Sequence, residues 1–180
     1  MSIRYTIVDS PLGRLLVAAT PRGVCAVAMA AADAELERAL ASEYPAATIA
    51  TDEGALAKWT TRILAHLAGR RPRLDLPLDV QATSFQWQVW KALGAIPYGE
   101  TRSYADVARA IGRPTAVRAV ARACATNPVA LAIPCHRVVP SGRGLGGYRW
   151  GVARKKKLLS AEAHGLSTKA RNKHEETRRT

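Results

Sequence analysis

The residues with the clearest chemical potential are Cys135 and His136, which stand side by side in a mostly apolar run, residues 131–139. A cysteine reacts as its thiolate, which a nearby base or cation favours and an apolar wall opposes. We expect His136 and Arg137 to supply that bias. Adjacent side chains on a strand point to opposite faces, so the pair shares a site only if the backbone bends, as Pro134 favours. The pattern indicates a nucleophilic cysteine, and the alternative is a buried structural cysteine beside a surface histidine.

The chain is strongly basic. Its 180 residues include 27 Lys and Arg against 14 Asp and Glu, a formal net charge of +13. This balance favours a polyanionic partner, with nucleic acid as the first candidate, although a basic surface also aids solubility. No apolar run approaches the roughly 20 residues of a membrane-spanning helix, and Arg4 and Asp9 interrupt the N-terminal hydrophobicity. We expect neither membrane association nor a secretory signal.

The three cysteines, Cys25, Cys124 and Cys135, are odd in number and irregularly spaced, so they predict no disulfide framework. A reducing, cytoplasmic setting is expected. A zinc site needs about four ligands, usually in close pairs, and Cys124, Cys135 and His136 do not provide them. The glycine-rich segment 140–147 contains no Gly-Lys-Ser/Thr phosphate cradle. The sequence therefore predicts neither a metal nor a cofactor.

Residues 1–80 are predicted to form an α/β scaffold domain. Short apolar runs at residues 3–8, 15–19 and 24–29 are separated by turn residues, which is typical of an antiparallel meander. Two amphipathic helices follow, one capped by Asp33 and one over residues 54–68. An extended connection then leads to a domain boundary near Gln81.

Residues 81–165 are predicted to be mainly helical. Thr83 or Ser84 caps a first helix, and two short helices, residues 104–111 and 115–125, have helix-turn-helix spacing. A last helix is predicted over residues 152–163. Residues 166–180 have few apolar side chains and many charges, so they predict a disordered basic tail.

The second helix of this pair has two different faces. Helical spacing predicts a buried stripe that includes Cys124, which is therefore expected to be a core residue. The opposite face carries Arg118, Ala119 and Arg122. Such a smooth positive face suits the DNA backbone better than base edges, which Asn, Gln or several Arg would contact. The helix therefore predicts DNA binding with little sequence preference.

Several ordered motifs around Cys135 together resemble one family. They are Phe85-Gln86-Trp87-Gln88-Val89-Trp90, Ile96-Pro97-Tyr98-Gly99-Glu100-Thr101, Ser103-Tyr104, Arg113-Pro114-Thr115-Ala116-Val117-Arg118-Ala119-Val120, Asn127-Pro128, Pro134-Cys135-His136-Arg137 and Gly146-Gly147-Tyr148-Arg149-Trp150-Gly151. In this order they closely resemble the O6-alkylguanine-DNA alkyltransferases, also called methylated-DNA-protein-cysteine methyltransferases. Residues 147–159 are most similar to the alkyltransferase half of the bacterial adaptive-response protein, whose cysteine-rich zinc module and regulatory activity are not expected here.

The resemblance implies a two-domain fold and a repair activity. Residues 1–80 would form a ribonuclease-H-like α/β domain, and residues 81–165 a mainly α, winged-helix-like domain with a helix-turn-helix. The implied activity is a single-turnover transfer of a methyl or larger alkyl group from O6-alkylguanine in double-stranded DNA to the protein's own cysteine. Alkyl-size preference and activity on O4-methylthymine stay open. No cofactor is implied, and a monomer is expected.

The resemblance also implies catalytic roles. Cys135 would be the nucleophile and His136 its base, acting through a water and oriented by Glu162. Asn127 would brace the active-site loop. Because a stacked base must be flipped before it reacts, Tyr104 would push the 3' phosphate and hydrogen-bond the extruded base.

Further residues are implied on the DNA and in the pocket. Arg118 would fill the vacated stack, on a DNA-binding helix that also presents Thr115, Ala119 and Arg122. The residues expected to line the substrate pocket are Trp90, Val138, Gly146, Gly147 and Tyr148. Ala130 stands where many members have proline, which would loosen the pocket wall. Arg149 and Trp150 replace smaller residues and are expected to narrow the pocket mouth.

Three other functions remain as alternatives. A cysteine hydrolase would also use Cys and His, but the sequence marks no oxyanion hole. Alkyltransferase-like proteins bind the lesion without repairing it, and another residue replaces their cysteine, so Cys135 disfavours that class. A non-catalytic winged-helix DNA-binding protein is the main alternative, and it predicts that Cys135 gains no mass from alkylated DNA.

Overall fold

The structure is a computed structural model that describes the backbone of residues 1–177 and the side chains of residues 1–165. Its first part contains a four-stranded sheet of β1 (Ser2–Ser10), β2 (Gly13–Thr20), β3 (Gly23–Ala30) and β4 (Thr48–Thr51). The strand order is β3-β2-β1-β4. Strands β1 to β3 form the predicted antiparallel meander. Strand β4 was not predicted, and it pairs with β1 in parallel.

A tight turn joins β1 to β2. The Ser10 side chain accepts a hydrogen bond from the Leu12 amide and donates one to the Gly13 carbonyl. Gly13 has a φ of +99°, a conformation that side chains with a Cβ rarely adopt. The short polar segment between two apolar runs therefore becomes the predicted hairpin.

Two helices, α1 (Asp33–Glu43) and α2 (Glu53–Leu67), cover opposite faces of the sheet. On one face Leu16 packs in a cluster with Leu36 of α1. On the other face Val17 packs with Ile63 of α2 and with core residues of the second part of the chain. Because neighbouring strand residues point to opposite sides, the apolar run of β2 contributes side chains to both clusters.

The predicted cap at Asp33 is wrong. Helix α1 begins after Ala32 without a side-chain cap. Asp33 instead pairs with Arg14 of β2, with 2.5 Å between Arg14 Nε and Asp33 Oδ1. An available guanidinium competes for this carboxylate, and the sequence alone does not show which partner is near.

The second part contains α3 (Ser84–Gly94), β5 (Arg102–Ser103), α4 (Tyr104–Ala110), α5 (Val117–Ala125), β6 (Val138–Val139) and α6 (Val152–Thr177). Thr83, one of the two predicted caps, caps α3 and also forms a capping box with Gln86. Strands β5 and β6 form a short parallel pair. Helices α4 and α5 pack together as the predicted helix-turn-helix.

Helix α6 is longer than predicted. Its backbone continues to Thr177, so residues 166–177, assigned to a disordered tail, are helical, and residues 178–180 lie outside the described part of the chain. No proline follows Pro140, and the Ala, Lys, Arg and Glu residues there have high helix propensity. In the described part of the chain, no helix is both long and apolar enough to cross a membrane.

Candidate active site

Cys135 begins a short 3-10 turn, Cys135–Arg137, directly after Pro134. This turn is the backbone bend that sharing one site requires, and it leaves the thiol buried, with the residue 4% exposed. Asn127 holds the thiol from one side, because its Nδ2 donates to Ile133 O at 2.9 Å and to Cys135 Sγ at 3.3 Å. Its Oδ1 accepts from the Val129 amide. Asn127 therefore braces this loop.

The thiol is neutral in this resting arrangement. Burial raises the pKa of Cys135, while the Asn127 hydrogen bond and the charge of Lys155 act in the opposite direction, with a smaller contribution from Arg149. The prediction that Arg137 supplies the cation is wrong. Arg137 points to Glu162 and to Ile96 O, since the 3-10 turn directs it away from the thiol.

Glu162 is the centre of a buried network, in which it pairs with Arg137 and accepts a hydrogen bond from His136. His136 Nε2 lies 2.7 Å from Glu162 Oε1, and Arg137 donates from Nε and Nη2 to the same carboxylate at 3.0 Å each. Burial raises the pKa of Glu162, but the hydrogen bonds and charges of His136 and Arg137 outweigh it and lower the pKa to about 2. The carboxylate is therefore ionised at neutral pH.

The imidazole is prepared to accept a proton. Burial lowers the pKa of His136 despite the neighbouring Glu162, so the ring is neutral at pH 7. A neutral ring that donates from Nε2 to a carboxylate has its lone pair on Nδ1. His136 Nδ1 is buried and has no hydrogen-bond partner in the described structure. The arrangement leaves a free acceptor on the residue that follows the thiol.

Lys155 is a further site residue, which the sequence did not single out. It is fully buried, and its Nζ donates to Val138 O at 2.7 Å and to Gly147 O at 3.2 Å. Its charge lowers the pKa of Cys135. Spacing offered a signal, because Lys155, Leu158 and Glu162 recur at helical intervals on one face of α6. A lysine on such a buried face suggests a paired or functional charge.

A cavity of about 320 Å³ adjoins the thiol. The residues that line it come from α4, from α5, from the Cys135–Arg137 turn (the reactive turn) and from residues 147–149. They are Tyr104, Ala121, Cys124, Ala125, Cys135, Gly147, Tyr148 and Arg149. The Tyr148 hydroxyl is buried and lacks a partner in the described structure. A largely apolar cavity with one unsatisfied hydroxyl suits a flat, hydrogen-bonding ligand such as a base.

Three of the predicted pocket residues stand elsewhere. Trp90 lies in the core, where its Nε1 donates to Ala123 O at 2.9 Å. Val138 is buried and contributes only its carbonyl, to Lys155. Gly146 lies beside the cavity, because a Cβ there would stand 3.3 Å from Tyr104 Oη. Residue type alone did not separate these packing positions from lining positions.

Arg149 and Trp150, both expected at the pocket mouth, lie in different environments. Arg149 lines the Cys135 cavity, and narrowing of the pocket mouth stays a prediction. Trp150 does not, because it is buried against Tyr148, with ring centroids 5.2 Å apart, and faces a different cavity. Ala130, expected to loosen the wall, is fully buried in the core.

Helix α5 presents the expected basic face. Arg118, Ala119 and Arg122 are exposed, and Thr115 is exposed in the turn before the helix. Cys124 was predicted to be core and is buried at 7% exposure, but it also lines the reactive cavity. Burial raises the pKa of Cys124 to about 12, so this second thiol is unreactive at neutral pH.

Among the described side chains, no group of three or more His, Cys, Asp or Glu is arranged to hold a metal ion. The charges that surround the thiol are those of Lys155 and Arg149.

Comparison with known proteins covers both parts of the chain. Residues 3–80 match the model of the ribonuclease-like domain of 6-O-methylguanine DNA methyltransferase. Residues 84–164 match the model of the DNA binding domain of the same enzyme. Together these matches include the reactive turn, the helix-turn-helix and Glu162.

Individual relatives agree with the domain models. The chain is 49% identical over 163 residues to the bifunctional transcriptional activator/DNA repair enzyme Ada of Escherichia coli, covering 91% of this chain and 46% of that protein. It thus spans about half the length of that relative. It is also 41% identical over 161 residues to the methylated-DNA--protein-cysteine methyltransferase of Mycobacterium tuberculosis, covering 89% of this chain and 92% of the other.

A solved structure shows the same fold. The Mycobacterium tuberculosis OGT crystallised in complex with DNA superposes with a TM-score of 0.77 at 36% identity, covering 92% of this chain and 94% of that one. The fold is thus an N-terminal sheet domain followed by a helical DNA-binding domain. With both domain models matched and a relative of this identity covered almost end to end, the chain belongs to the 6-O-methylguanine DNA methyltransferase family.

Proposed function

We propose that this protein repairs DNA by direct reversal, moving the alkyl group of an O6-alkylguanine onto Cys135. The observation that carries the proposal is a buried thiol at the wall of a base-sized cavity, followed in sequence by a neutral histidine with a free acceptor nitrogen. Methyl is the smallest group that this chemistry would transfer. The cavity and the thiol come from the part of the chain that matches the family's DNA-binding domain.

The reaction is a displacement at carbon. The thiol proton passes to His136 Nδ1, through a water, and Glu162 stabilises the imidazolium that forms. Sulfur then bonds to the alkyl carbon as the carbon–O6 bond breaks and its electron pair stays on guanine. The guanine anion takes up one proton from solvent, and His136 returns the thiol proton to solvent. The Tyr104 hydroxyl at the cavity wall is the proposed hydrogen-bond donor to the base.

The positive charge of Lys155 favours the thiolate during this step. Its Nζ is held by the Val138 and Gly147 carbonyls, so the charge is fixed rather than free to follow solvent. Binding of a base replaces whatever solvent fills the cavity, which strengthens the electrostatic interactions there. Burial raises the pKa of the resting Cys135 thiol, and the proposed proton transfer to His136 takes place with substrate bound.

Helix α5 is the proposed DNA-binding element. Arg118 and Arg122 would contact the backbone, and small Ala119 would allow close approach. The target base is stacked in duplex DNA, so it must be flipped out, at a cost of a few kcal/mol. Arg118 is the proposed residue that fills the gap, and Thr115 lies at the same surface. The proposed partner is double-stranded DNA that contains alkylated guanine, bound by a monomer in the cytoplasm.

The described residues around the thiol offer no path that removes an alkyl group from the product thioether. Each protein molecule should therefore react once. The test is to mix the protein with a limiting and then an excess amount of O6-methylguanine duplex, and to measure repaired base and the mass of the Cys135 peptide. We expect one methyl group on Cys135 per chain and none in Cys135→Ser. Duplex binding without a mass gain would instead support a non-catalytic lesion-binding protein.

A further inference from the structure

We propose that Glu43, in the first domain, is a positioning residue for alkyl transfer that acts through Arg149 at the reactive cavity. The inference rests on the function proposed above. It assigns to the scaffold domain one specific contribution to the reaction. The two residues are 106 positions apart in sequence, so only the fold brings them together.

Arg149 is held by one acceptor from each domain. Its Nη1 donates to Asn127 O at 2.9 Å, and its Nη2 donates to Glu43 Oε2 at 2.7 Å. The guanidinium also lies 5.6 Å from the ring centroid of Trp150. The Arg149 and Glu43 side chains are only 32% and 34% exposed. A planar guanidinium with two fixed acceptors is restrained in direction as well as in position.

Arg149 also lines two separate cavities. One is the cavity that contains Cys135. The other, of about 200 Å³, lies between the domains and is lined by α1 residues, among them Leu36, Leu40 and Glu43. A side chain that belongs to both walls changes the shape of the reactive cavity if it moves. Glu43 at the end of α1 therefore fixes part of the wall of that cavity.

The contact continues to the thiol. Arg149 donates to the backbone carbonyl of Asn127, and the Asn127 side chain donates to Cys135 Sγ. Displacement at carbon requires sulfur, carbon and leaving oxygen in line, so small misplacements reduce the rate. Removal of the negative charge at Glu43 weakens this contact and leaves the Asn127 carbonyl as the stronger remaining restraint on Arg149. We therefore expect slower transfer after DNA has bound.

Affinity for DNA should respond differently from the rate. Glu43 is an anion, so its loss removes no favourable contact with phosphate. The measurement is single-turnover transfer from O6-methylguanine duplex over a range of DNA concentrations. For Glu43→Gln we expect the maximal rate to fall roughly three- to fivefold, the size of effect of a partly exposed ion pair. The half-saturating DNA concentration should change less than about twofold.

The matched control is Glu35→Gln. Glu35 lies on the same helix and lines the same interdomain cavity, but its carboxylate makes no hydrogen bond to Arg149 in the described structure. Its maximal rate should equal that of the unmodified protein. Melting temperatures of both variants show whether either loss reflects unfolding.

A double-mutant cycle separates the pair from general effects of charge. Arg149→Gln should lower the maximal rate at least as much as Glu43→Gln, and adding Glu43→Gln to it should cause no further loss. An unchanged rate in Glu43→Gln overturns the inference, as does a full additional loss in the double variant. Tighter duplex binding with an unchanged maximal rate also overturns it, because Arg149 would then be a phosphate ligand that Glu43 restrains. If the unmodified protein takes up no methyl group at Cys135, the proposed function fails first.

Discussion

The two domains bury different kinds of side chains. In the first domain the buried polar residues of the described chain are Thr6, Thr60 and His66, within otherwise apolar clusters. In the second they are Asn127, His136, Arg137, Lys155 and Glu162. Burying charges is costly unless they are paired, and pairing often only balances that cost. The comparison teaches that the first domain buries almost only apolar side chains, while the second keeps a charged network that the proposed chemistry uses.

The largest effect on transfer should come from Cys135, and Cys124, the second thiol of the same cavity, is its control. Cys135→Ser should abolish transfer and leave duplex binding largely intact, because the nucleophile is lost and the α5 surface is not. Cys124→Ser removes the other thiol of the same cavity and should keep transfer within about threefold, a small effect compared with losing a nucleophile. Methyl uptake by mass spectrometry and duplex binding measure both. Methyl uptake in Cys135→Ser would show that the wrong thiol has been assigned.

The next largest effect should come from Glu162→Gln. The glutamine still accepts hydrogen bonds but does not stabilise an imidazolium. Transfer should slow by roughly ten- to a hundredfold, less than the full contribution of a general base, because His136 itself remains. Single-turnover rates at saturating duplex measure the loss. Asp33→Asn in the first domain removes an exposed carboxylate that also pairs with arginine and serves as the control. A rate unchanged in Glu162→Gln would remove this residue from the mechanism.

The same variant gives a pH prediction. The pKa of Glu162 is about 2 in the folded protein, below its ordinary value of 4.5. A depressed pKa contributes stability above the unfolded value and loses it as pH falls through the folded value. The stability gap between the unmodified protein and Glu162→Gln should therefore be constant above pH 5 and shrink between about pH 4.5 and 2. Urea unfolding across this range measures the gap, and a gap that widens on acidification would contradict the assigned ion pair.

A smaller effect is expected at the DNA surface. Arg118→Ala should slow repair of duplex DNA by roughly tenfold while leaving reaction with free O6-methylguanine base within about twofold, because only the duplex leaves a stack to be filled. Arg22→Ala in the first domain, also an exposed arginine, is the control. Equal losses on duplex and free base would assign Arg118 to the protein's own stability instead.

The smallest effect on the transfer rate is expected for a truncation in the apolar core of the first domain. Leu16→Ala empties a fully packed position of the first domain, where Leu16 is 1% exposed, and should lower the free energy of unfolding by about 2–5 kcal/mol. The transfer rate of the protein that remains folded should stay within about twofold, since Leu16 and Cys135 belong to different core clusters. A rate loss far beyond the unfolded fraction would show that the scaffold domain shapes the site more widely than through Glu43.

Local features could be read from the sequence because their causes are local. The turn at Gly13, the capping box at Thr83 and the helix-turn-helix each depend on a few neighbouring residues. Strand β4 was missed because its four residues, Thr48–Thr51, carry no strong alternation and pair with β1 only after α1 has returned the chain. The length of α6 was missed because a polar, charged segment was taken as disorder, although the same residues favour helix.

The candidate site divides in the same way. The sequence by itself determined the reactive pair Cys135 and His136, the basic face of α5 and, through several ordered motifs, the family, because residue type and order are enough for these. Only the tertiary structure decided the environment of each charge. Arg137 pairs with Glu162, Lys155 lies near the thiol, and Arg149 connects Asn127 to Glu43. Electrostatic effects depend on distance and burial, and these are set by packing between elements that lie far apart in the chain.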